Sequence, residues 1–163
     1  MLSRLSPYWL WLLLAIPAVG ILSDVLPSPD PTALKPALHP SGEFAARFMI
    51  VSMMATPLAM LFKGRSFPIW LKKNRRYFGV AAFAYSALHL GFYLVSRGSL
   101  EKILGQATDF DILTGWLAFL IFLPLAATSF DAAVRARGPR WKSVQRWVYA
   151  AAALTLLHWA AKD

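Results

Sequence analysis

Apolar residues gather in five runs of 15 to 21 residues, with polar and basic residues collected in the connections between them. The runs cover residues 8–22, 43–62, 77–97, 112–130 and 145–161. They are too apolar for a soluble surface, and their lengths suit helices that cross a membrane. The pattern predicts an all-α, polytopic membrane helix bundle of about five transmembrane spans, with residues 1–163 forming a single transmembrane domain. A cleaved signal peptide is the alternative for the first run, since Arg4 precedes about a dozen apolar residues. Trp9 and Trp11 resemble interfacial anchors, and no clean small-x-small cleavage site follows, which favours a retained span. Residues 23–42 hold five prolines (Pro27, Pro29, Pro31, Pro36 and Pro40) and are expected as a loop that is not helical throughout.

Composition agrees with the pattern: 58% of the 163 residues are hydrophobic and only 15% charged. The net charge of +9 would suggest nucleic acid were it not so unevenly placed. Eleven of the 17 basic residues lie in residues 63–76 and 131–146, whereas seven of the eight acids fall on the other side. By the positive-inside rule both basic loops are cytoplasmic, putting the N-terminus in the cytoplasm and the C-terminus outside. The basic balance then reports topology and contact with the anionic lipid bilayer, and no nucleic acid partner is expected. No internal repeat is apparent. The absence of cysteine excludes disulfides, thiolate-held clusters and a thiolate-ligated haem.

Two of the three histidines sit deep in apolar runs. His89 lies 12 residues beyond Tyr77 and His158 lies 13 beyond Gln145, or roughly 18 and 20 Å of helix. Both helices enter from the cytoplasmic side, so the imidazoles are expected at matching depth in the outer half of the membrane. Such a pair can ligate one haem iron. Ser86, His89, Tyr93 and Ser96 recur as one polar stripe, as do Ala151, Thr155, His158 and Lys162. Small residues near each imidazole (Ala82 and Ala151) leave room for a flat macrocycle or serve plain helix packing. On these grounds alone haem, cross-helix hydrogen bonding and a proton relay all stay open. Zinc would need about four ligands, and His39 belongs to the proline-rich connection. That third histidine is either a loop residue or a group near a haem edge. Arg47 and Arg97 are placed at the outer interface, where each could pair with a haem propionate or lipid phosphate. Asp109 and Asp111 read as solvated loop charges. No nucleotide or NAD(P)H fingerprint is present, so electrons must come from elsewhere.

Several stretches together carry a family resemblance: His39-Pro-Ser-Gly42, Ala55-Thr-Pro-Leu58, Arg75-Arg76-x-x-Gly79 running on to Ala82-Phe-Ala-Tyr85 and Leu88-His89-Leu90, and Leu123-Pro-Leu-Ala-Ala-Thr-Ser129. Over roughly residues 39–160 the chain resembles the haem-binding membrane subunit of the periplasmic methionine sulfoxide reductase system, the MsrQ or YedZ family of ferric reductase-like transmembrane domains. The resemblance implies a b-type haem with His89 and His158 as metal ligands. It also implies a bacterial inner-membrane location, a cytoplasmic flavin-dependent donor and a periplasmic molybdopterin-type reductase as acceptor. The chain would then be an electron-transfer subunit rather than a self-sufficient enzyme. The family usually has a further histidine where this chain has Gln145, which counts against a second haem near the cytoplasmic face. Arg75 and Arg76 are left as side chains that could approach one there, and a quinol is the other candidate donor. The alternatives to this reading are a non-redox scaffold or assembly subunit and a direct ferric or quinone reductase.

Overall fold

The computed structural model describes residues 7–27 and 30–161. Its elements are α1 (Pro7–Val25), a short 3-10 turn (Pro31–Leu34), α2 (Lys35–Leu61), α3 (Ser66–Arg97), α4 (Leu100–Gly105), α5 (Phe110–Ala127), α6 (Asp131–Arg137), α7 (Arg140–Gln145) and α8 (Val148–Ala160). The chain is a polytopic all-α bundle, with no strand among the described residues. Four helical segments there are long and apolar enough to cross a membrane: Tyr8–Val25, Pro31–Leu61, Ser66–Arg97 and Phe110–Ala127. The faces they leave exposed are themselves apolar. On α1, Leu12, Ile16 and Val19 point outward while Leu10 and Leu14 are buried. On α5, Leu113, Leu117 and Leu120 are exposed opposite buried Thr114, Ala118, Phe122 and Leu125. A helix apolar on both sides suits lipid against one face and protein against the other.

Helix ends differ from the sequence expectation at three places. The proline-rich connection is largely helical, because α2 starts at Lys35 and carries His39, Pro40, Ser41 and Gly42. Pro36 falls in its first turn, where a missing N–H costs nothing. The preceding 3-10 turn is capped by Asp30, whose side chain accepts the Thr32 N–H at 2.8 Å. Most of the basic connection after α2 is likewise the start of α3, whose 32 residues extend about 48 Å. At the last run, a turn at Arg146 and Trp147 separates α7 from α8. Helix α8 therefore begins at Val148 and His158 stands ten residues beyond its start, about 15 Å along the helix.

The chain divides into two compact units, one ending at Phe92 and the other starting at Tyr93. In the first unit α1 packs against α2. Ile21, Val25, Ala37, Ala45, Tyr85 and Phe92 form one buried cluster, and Leu10, Leu14 and Ala81 form another. Tyr85 ties α3 to α1 beside Pro17: its hydroxyl donates to the Leu14 carbonyl and accepts the Ala18 N–H, both at 2.8 Å. Those are the two groups that close one helical turn, so the hydroxyl occupies the bonding ladder at the proline. Aromatic pairs line the same unit, with Trp9 stacked on Trp70 and Trp11 edge-on to Tyr77. In the second unit α5 and α8 pack along one another, with Ala118 and Ala151 buried. Small residues of this kind let helix backbones approach.

Candidate functional site

In the first unit, α3 presents His89 to the N-terminal part of α2. Its Nδ1 lies 2.8 Å from the carbonyl oxygen of Leu38 and 3.3 Å from Oγ of Ser41. A carbonyl oxygen only accepts, so Nδ1 must carry the proton that joins them. In its neutral form the ring then has its lone pair at Nε2. Gly42 lies against the imidazole: a Cβ at that position would be 3.1 Å from Nδ1 and 3.3 Å from Cε1. Ser41 is fully buried and donates to the carbonyls of Ala37 at 2.7 Å and Leu38 at 3.0 Å.

The second unit repeats this arrangement with different residues. Nδ1 of His158, on α8, lies 2.5 Å from the carbonyl oxygen of Asp111 in the first turn of α5. Gly115 lies against the ring, where a Cβ would be 2.9 Å from Nδ1 and 3.0 Å from Cε1. Thr114, also buried, donates to the carbonyls of Phe110 at 2.9 Å and Asp111 at 2.8 Å. Asp111, expected only as a solvated charge, therefore contributes through its backbone. Both imidazoles are held in the tautomer that metal-ligating histidines use, with one nitrogen donating to a carbonyl and the other basic. That donor chemistry fits an axial ligand of haem iron.

The remaining predicted residues fall as follows. Tyr93, one turn beyond His89 on α3, is buried, and its hydroxyl has no hydrogen-bond partner among the described residues. The Arg97 guanidinium stacks over the Tyr93 ring at 5.2 Å. Arg47 pairs with Glu43 and stacks on Phe44 on an exposed face of α2. Arg75 donates to the Thr56 hydroxyl at 2.8 Å, and its carbonyl accepts from Ser52 at 3.0 Å. Arg76 is half-buried on α3, and His39 is exposed on α2.

The serine and threonine hydroxyls of the two polar stripes are spent within their own helices. The hydroxyls of Ser86, Ser96 and Thr155 donate to carbonyls of their own helices, as such side chains do where the surroundings are apolar. Lys162 lies outside the described residues. Ala82 and Ala151 have no exposed surface, which matches their use in helix packing. Gln145 is half-buried and donates its amide N–H to the Leu125 carbonyl at 3.1 Å and the Thr128 hydroxyl at 3.2 Å, at the end of α5. Trp141 joins it by donating to the Thr128 carbonyl at 2.8 Å.

Sequence reasoning missed the acceptors and the glycines. The one sign of them was a repeated dipeptide, Ser41-Gly42 and Thr114-Gly115, each more than 40 residues ahead of a histidine.

Residues 41–156 match the family described as the ferric reductase-like transmembrane component. The chain is 35% identical over 153 residues to a Deinococcus radiodurans protein named as the haem-binding subunit MsrQ of protein-methionine-sulfoxide reductase, covering 90% of this chain and 74% of that one. A protein of the same name from Azospira oryzae is 36% identical over 166 residues, covering 92% of this chain and 65% of the relative. A third, from Yersinia pseudotuberculosis, is 34% identical over 159 residues, with coverage of 94% and 72%. The chain thus spans about two-thirds to three-quarters of the length of these relatives. No solved structure matches.

Proposed function

The chain belongs to the ferric reductase-like transmembrane family, and we propose that it is the haem-binding membrane subunit of a methionine sulfoxide reductase system. In this reading it carries electrons from a cytoplasmic flavin-dependent or quinol donor to a periplasmic reductase, and does not itself act on a substrate. The segments at residues 8–22, 43–62, 77–97, 112–130 and 145–161 belong to one transmembrane domain of the bacterial inner membrane. Its basic connections face the cytoplasm and its C-terminus the periplasm.

His89 and His158 would hold one b-type haem, which would supply a one-electron couple; two histidine ligands suit electron transfer rather than oxygen binding. The observation that carries the reading is the tautomer: each histidine donates Nδ1–H to a main-chain carbonyl, of Leu38 or of Asp111. These bonds fix the tautomer and orientation of each ring. Arg97, held over Tyr93, and Arg47 are the cations assigned to propionate charge, and the unpartnered Tyr93 hydroxyl is a donor for the same purpose. Gln145 is engaged with the end of α5 and amides are poor iron ligands, so one haem per chain is the expected content, and Arg75, bonded to Thr56, and Arg76 are not assigned a second one.

The test is a pyridine haemochrome assay on the purified full chain. One b-type haem per chain is expected. A haem-free chain that still assembles with a reductase partner would point to a scaffold, and reduction of ferric chelates without any partner would point to a direct reductase.

A further inference from the structure

In each unit a carbonyl, a hydroxyl residue three positions on and a glycine four positions on lie on the helix facing the histidine. Leu38, Ser41 and Gly42 face His89; Asp111, Thr114 and Gly115 face His158. Resting on the haem reading above, we propose that Ser41-Gly42 and Thr114-Gly115 are positioning residues that set the strength of the two iron ligands.

The glycine fixes how near the ring can come. A Cβ at Gly42 or Gly115 would stand about 3 Å from Nδ1, pushing the ring off its acceptor. The crowding is particular to these two sites: of the other helical glycines, Gly20, Gly91 and Gly105 meet nothing within 4 Å of a Cβ position, and Gly79 makes only an ordinary 3.4 Å contact with Ser52. The hydroxyl fixes how strongly the carbonyl draws the ring proton. Ser41 donates to the same Leu38 oxygen as His89, and Thr114 to the same Asp111 oxygen as His158. An oxygen shared between two donors holds each less tightly than it would hold one. The hydroxyl therefore moderates the electron density that the Nδ1–H bond delivers to Nε2. Less density at the ligand stabilises ferric iron less, so each hydroxyl raises the potential. The device occurs twice, once between α2 and α3 and once between α5 and α8, and at no other glycine among the described residues does an imidazole stand this close.

The experiment uses the full chain in lipid nanodiscs, titrated with haem b, with affinity, midpoint potential and ferric electron paramagnetic resonance as readouts. Gly42→Ala and Gly115→Ala are expected each to weaken haem binding about 10- to 100-fold, the usual cost of losing a partner of a ligating histidine, and to change the g-values. Ser41→Ala and Thr114→Val are expected to keep haem and to move the potential to more negative values. Gly91→Ala, on the same helix as His89, is expected to change none of these. Folded glycine variants with wild-type affinity and g-values would overturn the inference while leaving the haem reading intact. Should either alanine variant fail to fold, the hydroxyl variants decide, and an unmoved or more positive potential overturns it. A wild-type chain that takes up no haem overturns both.

Discussion

Gln145 reaches from α7 to the end of α5, where its amide N–H serves the Leu125 carbonyl and the Thr128 hydroxyl. Helix ends leave carbonyls without intrahelical partners, and a side-chain donor there meets a structural need. Gln145→Ala is expected to destabilise the chain by about 1 kcal/mol and to leave haem content unchanged. Thermal unfolding in detergent with haem quantification checks this, and loss of haem would reassign Gln145 to the cofactor. At this scale the sequence singles out side chains but not what holds them. His89 and His158 stand out as imidazoles in apolar runs. The Leu38 and Asp111 carbonyls do not, since any residue has one and only the approach of a second helix selects it. Gly42 and Gly115 become informative only with the ring beside them.

Tyr85 shows how single bonds organise elements. Its hydroxyl serves both an acceptor and a donor of α1 next to Pro17, so Tyr85→Phe leaves a weakened turn. The expected loss is about 1–3 kcal/mol, read as lower resistance to denaturant in micelles, and an unchanged midpoint would refute the bridging role. Gly91→Ala goes the other way: nothing crowds that position, and alanine in place of a helical glycine is expected to add up to about 1 kcal/mol. The turn before α2 has its own pH dependence. The Thr32 hydroxyl and N–H hold the Asp30 carboxyl below its ordinary range, so its contribution is present above the ordinary carboxylate pKa and is lost as pH falls through the lowered one. Faster amide exchange at Thr32 only in that acid range is the expected outcome. The long helices were legible in the apolar runs, while helix ends and the short helices α4, α6 and α7, in segments expected as loops, were not. Five prolines suggested a loop, but Pro36 sits where a helix tolerates proline. Basic residues suggested another loop, but a helix longer than the bilayer is thick carries them beyond it.

For the whole molecule the legible features are class and charge. Runs this long and this apolar suit lipid, and the placement of lysine and arginine predicts which ends face the cytoplasm. The absence of cysteine makes that prediction simple to examine. A single cysteine at Lys73 or Ser143 is expected to react with a membrane-impermeant maleimide only in inside-out vesicles, and one at Thr108 only in spheroplasts. The reverse pattern would invert the topology. What the sequence did not disclose is that the same histidine–carbonyl–glycine arrangement occurs in both units, because more than 40 residues separate each glycine from its histidine. The central claim is that His89 and His158 are the two ligands of one haem. Low-temperature electron paramagnetic resonance of the ferric protein tests it most directly, comparing the wild type with His89→Ala and His158→Ala. A low-spin bis-imidazole signal in the wild type that disappears in each single variant is the result predicted. Survival of that signal, unaltered, in either variant would contradict it.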